Sequence, residues 1–285
     1  MWLFLMNALW AVGYPVTAIA LRAGASPGLV AAVRLTVAFL VFVPLLWRVR
    51  HWSWKLLGAG AAMGLVGFSL PLWLQIVGLY RTDPAIAAIS ISAEPLFTIL
   101  LAAILTRTRT SGRQKVALII ALTGSWILTG EPRPGHAPHL YGDVALFLAV
   151  GCFAVYNVYS PKLSRWVDAG PASALVFGFG ALGSTAAWLL GGASLPTHVT
   201  PSLVWSLVFL ALGATAAAYF LWLYAVGKRS IAVAALFLYT QPLLGSLLSW
   251  VLGQSRITWP LALGGCLILL AVALGDLGSQ HAPGG

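Results

Sequence analysis

The chain has 285 residues, of which 60% are hydrophobic and only 8% charged, and its mean hydropathy is +0.93. Soluble domains carry about 25% charged residues, so a water-soluble fold of this length is excluded: too little polar surface exists to keep it dissolved. The net charge of +10 would point to nucleic acid in a soluble protein. Here the basic residues fall in short runs between apolar segments, so the expected partner is the anionic face of a bilayer and no nucleic acid is expected.

A spanning helix needs about 20 mostly apolar residues. In chain order the candidates are 2–21, 28–47, 55–79, 84–105, 114–130, 141–161, 171–191, 201–226, 231–253 and 259–277. Turn chemistry separates them: Gly24 to Pro27, Arg81 to Pro84, Glu131 to Pro138, Asp168 to Pro171, and Pro196 to Pro201. Lipid cannot satisfy the edge of an open sheet, and continuous apolar runs do not have the alternation of a barrel strand. The expected fold class is an all-α integral membrane protein of ten transmembrane helices. The segment starting at Met1 has no basic stretch before its apolar run and reads as a retained helix.

Lysine and arginine in the loops set orientation. The odd-numbered loops hold four: Arg22, Arg81, Arg133 and Arg256. The even-numbered loops hold eleven: Arg48, Arg50, Lys55, Arg107, Arg109, Arg113, Lys115, Lys162, Arg165, Lys228 and Arg229. The asymmetry puts the even loops and both termini in the cytoplasm, and the expected location is a bacterial inner (plasma) membrane. Trp47, Trp52, Trp54, Trp166, Trp188, Trp205 and Trp259 fall near helix ends, where aromatic belts form. Cys152 and Cys266 lie in apolar runs and read as small hydrophobes. His136 and His139 have no acidic or thiol company for a metal. No phosphate-binding loop, zinc-protease motif or nucleophile elbow occurs. No cofactor, no metal and no enzymatic activity are expected.

The two halves resemble each other at a constant offset of 147. Arg81-Thr-Asp-Pro-Ala-Ile-Ala-Ala-Ile aligns with Lys228-Arg-Ser-Ile-Ala-Val-Ala-Ala-Leu, Glu94-Pro95-Leu96 with Gln241-Pro242-Leu243, and Ser111 with Thr258. Five helices per half is an odd number, so the second half enters the membrane upside down. Two inverted five-helix repeats, a transporter signature, are expected at 1–131 and 139–278, with a C-terminal tail at 279–285.

These landmarks carry a family resemblance over about residues 2–277. Asn7-Ala-Leu-Trp10-Ala is followed by Ser26-Pro27 and Arg34, then by Glu94-Pro95-Leu96-Phe97. Gly142-Asp143 opens the second half and Phe153-Ala154-Val155-Tyr156 follows, before the Gln241-Pro242-Leu243 copy. In this order they resemble the drug/metabolite transporter superfamily, in its ten-helix form with two EamA domains. The resemblance implies a central cavity lined by helices 1–4 and 6–9, and movement of small metabolites, often outward, as in amino-acid exporters of the YddG type. Relatives often have an acidic turn after helices 4 and 9; here the turns read Thr106-Arg107-Thr108 and Gly253-Gln254-Ser255.

Within the spans, Glu94 is the one deep carboxylate, about 15 Å into its helix at 1.5 Å per residue. A charge there costs at least about 2.5–3.5 kcal/mol. It is a candidate proton-coupling or cation site, against a fixed pair or a hydrogen-bonded structural acid. Arg34, the one base well inside a span, lies about 10 Å into helix 2. It is expected to pair with Glu94 or to anchor a helix end; a pair able to open would take a zwitterion, carboxylate to Arg34 and ammonium to Glu94. Pro95 and Pro242 each follow a polar residue in mid-helix and are expected to kink the path helices. Trp10, Tyr14, Trp73, Gln75, Tyr156, Asn157, Trp222, Tyr239 and Gln241 complete the candidate pathway, with packing the alternative for any single one. Gly60 and Gly64 on helix 3, and Gly213 to Ala218 on helix 8, read as close-packing faces.

The function expected is secondary transport of a small organic metabolite, first an amino acid or related amphiphile in the export direction, by alternating access at a midplane cavity. A multidrug-type exporter of apolar cations is the second reading, and a non-transporting structural or sensor protein the third. Protons are a candidate coupling ion, and the oligomeric state is open.

Overall fold

The structure is a computed structural model that describes residues 2–81, 84–106, 111–129, 140–163, 165–226, 228, 231–251 and 259–279. Everything described is helix or short connection, with no strand among the described residues. The helices are α1 (Trp2–Arg22), α2 (Pro27–Arg48, 3-10 from Val43), α3 (Trp54–Arg81), α4 (Pro84–Thr106), α5 (Gly112–Thr129), α6 (Leu140–Leu163), α7 (Ala169–Leu190), α8 (Pro201–Val226), α9 (Ile231–Leu238), α10 (Thr240–Val251) and α11 (Trp259–Ser279). Six of them, α1, α2, α3, α6, α7 and α8, are long and apolar enough to cross a membrane. Shorter apolar stretches occupy Ala93–Leu105, Val233–Gly245 and Ala262–Leu274.

Local chemistry explains the helix starts. Ser26, Ser53 and Thr200 each accept the backbone N–H three residues on, and Pro27 and Pro201 take the first helical position, where a missing N–H is harmless. At α5, Ser111 and Gln114 form a reciprocal capping box: Gln114 N donates to Ser111 Oγ at 3.2 Å and Ser111 N to Gln114 Oε1 at 2.9 Å. Ser111 in the sequence repeat is therefore a helix start; its counterpart Thr258 lies outside the described residues, as do the turns at 107–108 and 253–255, His136 and His139.

Besides the 3-10 end of α2, three spans depart from regular α geometry. Both α3 and α8 contain a π-helical turn, at Leu65–Ser69 and Leu212–Ala217. The expectation of one continuous helix over 231–253 is corrected: the chain breaks at Tyr239 between α9 and α10. Pro242 accounts for it, because it lacks an N–H for the Leu238 carbonyl and its ring crowds that oxygen. Pro95 lies inside an uninterrupted α4, so the two prolines act differently on their helices.

The principal pairings are α5 with α11, α2 with α7, α6 with α3 and α4, and α1 with α8 and α10. Each maps onto itself or onto another when positions are shifted by 147. At the α3–α7 crossing the backbones nearly touch: a Cβ on Gly64 would lie 2.6 Å from Val176 O and 2.8 Å from Gly180 N. The glycine pair on α3 is thus a helix contact.

The connections sort into two sets. Ser26 Oγ donates to Ser194 O at 3.3 Å, joining the connections after α1 and α7. The Arg81 guanidinium lies 5.5 Å from the Tyr141 ring, joining the end of α3 to the start of α6. Residues 47–51 and 165–168 line one cleft. In these described contacts, connection 1 meets connection 7 and connection 2 meets connection 6. Trp47, Trp52, Trp54, Trp166, Trp205 and Trp259 are all exposed. Mid-helix apolar side chains such as Leu40, Leu100, Ile119 and Leu182 also face outward, the surface expected of a protein solvated by hydrocarbon.

Candidate functional site

A small polar cavity lies at the centre of the bundle. Its volume is about 40 Å³, room for a few waters at roughly 10–15 Å³ each. The cavity brings together seven of the residues singled out in the sequence: Trp10, Tyr14, Arg34, Gln75, Glu94, Asn157 and Gln241.

On α1, Trp10, Gly13, Tyr14 and Thr17 follow the i, i+3, i+4, i+7 spacing of one helix face, and all four line the cavity. The π turn of α8 supplies the opposite wall. A π turn leaves carbonyls out of the regular ladder, and two are used here. Trp10 Nε1 donates to Ala214 O at 3.1 Å. Thr215 Oγ1 donates to Leu210 O at 2.7 Å and accepts from Arg34 Nε at 3.0 Å. Arg34 is 6% exposed, so this one neutral acceptor orients a buried cation.

Glu94 is held differently. Asn157 Nδ2 on α6 donates to Glu94 Oε1 at 3.0 Å and reaches Thr98 Oγ1, one turn along α4, at 3.2 Å. Of the alternatives left open for Arg34 and Glu94, the ion pair is not formed: both line one cavity, yet each is bound by its own neutral partner and no ion pair joins them. The reason is local. The π turn turns Thr215 toward α2, and Asn157 fits between two polar positions of α4.

Four sequence candidates stand outside the lining. Tyr156 and Trp222 are buried in a layer behind it. Tyr156 packs edge-on against Phe68 at 4.7 Å and lies 6.2 Å from Tyr219, while Trp222 Nε1 donates to Ser160 Oγ at 3.2 Å. Tyr239, at the helix break, is fully buried in a separate cluster around α5, α9 and α11. Trp73 is half-buried and does not line the cavity.

Sequence reading missed Thr17, Phe153, Ala214 and Tyr219, all of which line the cavity, and the holding residues Thr98 and Thr215. Thr17 was within reach, since it continues the Trp10–Tyr14 stripe by one turn. Tyr219 is the centre of the aromatic wall, 4.8 Å from Trp10 and 4.3 Å from Phe68, and nothing local to it signals that role.

Positions separated by 147 converge here. Trp10 and Asn157 both line the cavity, as do Glu94 and Gln241. The π turns of α3 and α8 begin at Leu65 and Leu212, the same separation.

An apolar helical bundle with a charged and aromatic cavity at its centre defines a polytopic membrane protein of the solute-handling class. The comparisons agree. The chain belongs to the EamA-like transporter family, whose model matches residues 1–130 and again 140–274. An uncharacterized transporter of Archaeoglobus fulgidus is 25% identical over 256 residues, covering 87% of each chain. A second uncharacterized transporter of the same organism is 23% identical over 223 residues, covering 78% of this chain and 76% of its own. A crystal structure of another protein superposes with a TM-score of 0.76 at 24% identity, covering 99% of both chains. Family membership makes this a membrane transporter, with a transport role and not an enzymatic one.

Proposed function

We propose that the protein is a secondary transporter of a small zwitterionic or amphiphilic metabolite, with amino acids the first candidates and export the net direction. It works by alternating access around the central cavity, through two inverted five-helix repeats at 1–131 and 139–278. The broken α9–α10 unit is one of ten spans, and both termini face the cytoplasm. The observation that carries the reading is that Arg34 and Glu94 line the same cavity without pairing. A fixed ion pair would leave a solute nothing to bind. Two opposite charges, each held by one neutral hydrogen bond, leave the remaining oxygens and N–H groups for an ammonium and a carboxylate.

The repeat reading is supported by the matching family segments, the helix pairing and the two π turns at one separation. An odd number of spans per repeat inverts the second copy, which allows two conformations of similar energy. The cavity has room for only a few waters, so entry of all but the smallest amino acids requires the halves to rock apart. The second reading, export of apolar cations, draws on the aromatic wall of Trp10, Tyr14 and Tyr219 around Glu94. Arg34 in the same cavity counts against it.

The test is uptake into proteoliposomes, using labelled amino acids and apolar cations with and without a proton gradient, for wild type and Glu94→Gln. Saturable amino-acid transport that falls at least about tenfold in Glu94→Gln, the loss expected for one charge-assisted bond, supports the reading. If the gradient accelerates wild type and not the variant, Glu94 also carries the proton. Transport of cations alone selects the second reading. Amino-acid transport unchanged in the variant removes Glu94 from the substrate site.

A further inference from the structure

The outer face of the α2–α7 pair has two neighbouring concavities apart from the central cavity. The first is a polar cleft of about 640 Å³ at the end of the bundle where α2 stops and α7 starts. Arg48, Arg50, His51 and Arg165 line it, against one acid, Asp168. The second is an apolar groove of about 760 Å³ with Phe39, Leu46, Trp52, Phe179, Leu182 and Leu189 among its walls.

Both use α2, α7 and the connection after α2, the groove adding Leu57 from α3, and their lining residues adjoin along the chain. Leu46 and Trp52 of the groove flank Trp47 to His51 of the cleft, and Pro171 of the cleft is one turn from Ala174 of the groove. From Ala174 the groove follows α7 as far as Leu189, about 22 Å at 1.5 Å per residue. That is longer than one leaflet's hydrocarbon, roughly 15 Å as half of the core. Exposed Trp47, Trp52 and Trp166 surround the junction and put it at the depth where aromatic residues meet headgroups.

We propose that this composite site binds one anionic phospholipid from the leaflet on its own side, with the phosphate headgroup in the arginine cleft and an acyl chain along α7. The charge excess selects an anionic head. The groove then selects a lipid over a free anion, because a soluble phosphate could use the cleft but would leave the apolar half unfilled. Arg48 stacks over Trp47, 5.7 Å from its ring centre, which fixes one side of the cleft; Arg50 and Arg165 approach the phosphate from the two connections. A lipid held here touches α2 of the first half and α7 of the second, the pair that crosses between halves. The inference does not depend on which solute the central cavity carries.

The test is native mass spectrometry of the full chain in detergent, titrated with phosphatidylglycerol and phosphatidylcholine of identical acyl chains, and with glycerol 3-phosphate. Expected are a single retained phosphatidylglycerol with at least tenfold preference over phosphatidylcholine, and no displacement by glycerol 3-phosphate. Arg50→Gln with Arg165→Gln should weaken phosphatidylglycerol binding about 30-fold, roughly fivefold per arginine, while Arg50→Lys with Arg165→Lys retains it. Ala186→Trp, at an exposed groove position, should weaken both lipids alike. Equal binding of the two lipids, or a glutamine pair as tight as wild type, overturns the proposal. Displacement of lipid by glycerol 3-phosphate overturns it in favour of a soluble anion site. Full binding by Ala186→Trp removes the acyl chain from the groove.

Discussion

Thr215 decides where the buried guanidinium of Arg34 points, because its hydroxyl is the acceptor for Nε. Thr215→Val keeps the shape and removes that oxygen, which leaves a buried charged donor unsatisfied at a cost of about 1.5–3 kcal/mol. Thermal unfolding in detergent should show a clear drop in midpoint for Thr215→Val and almost none for Thr215→Ser; equal midpoints would show that Arg34 is held by something else. Glu94→Gln should leave the midpoint near wild type, since Gln still offers Asn157 an oxygen, so a transport loss in that variant reflects charge and not misfolding. At this scale the sequence was informative where chemistry was out of place. Glu94, Arg34 and Asn157 stood out as polar groups in apolar runs. Their partners did not, because pairing depends on which helix faces are apposed, and the nearest opposite charge was a poor guide to it. Thr17, Thr98 and Thr215 were overlooked because threonine is ordinary in a membrane helix.

The helices whose irregularity shapes the site are α3, α8 and the α9–α10 pair. The π turn in α8 was invisible in the sequence: the Gly213 to Ala218 run reads as a thin packing face, and no side-chain period marks one extra residue in a turn. The break at Tyr239 was half legible, since Pro242 announced a kink but not an interruption. Pro242→Ala would return an N–H to the Leu238 carbonyl. Amide exchange over 238–242 should slow in that variant, and transport should slow with it if the break is a hinge. Slower exchange with unchanged transport would make the break architectural only. On α3, Gly64→Val would drive a Cβ into α7 backbone and should destabilise by about 1–3 kcal/mol. Gly58→Val on the same helix meets nothing within 4 Å and should be tolerated, a contrast that thermal unfolding reads directly.

Across the whole molecule, charge, aromatic placement and the repeat offset of 147 point to one arrangement. Among the described residues, connection 1 meets connection 7 and connection 2 meets connection 6, and helix pairs map onto helix pairs under the repeat shift. This much was legible because the bilayer imposes strong rules on composition and loop charge. The cavity's small size was not legible, because it depends on how far two halves approach and no residue encodes that alone. Single cysteines at Arg50 and Arg165 should be labelled from one side of the membrane, and single cysteines at Gly24 and Pro196 from the other; mixed labelling within either set would overturn the proposed inverted arrangement.

Alternating access means that the cavity between α1, α2, α3, α4, α6, α8 and α10 opens to each side of the membrane in turn. Thr17 lines it and substitutes conservatively to cysteine, and the native Cys152 and Cys266 can be replaced by alanine. The most direct measurement is labelling of Thr17→Cys in that background by a membrane-impermeant thiol reagent, applied separately to each face of sealed vesicles of known orientation. Alternating access requires labelling from both faces, slowed by a transported solute. Labelling from one face alone, or from neither while the denatured protein labels fully, would contradict it.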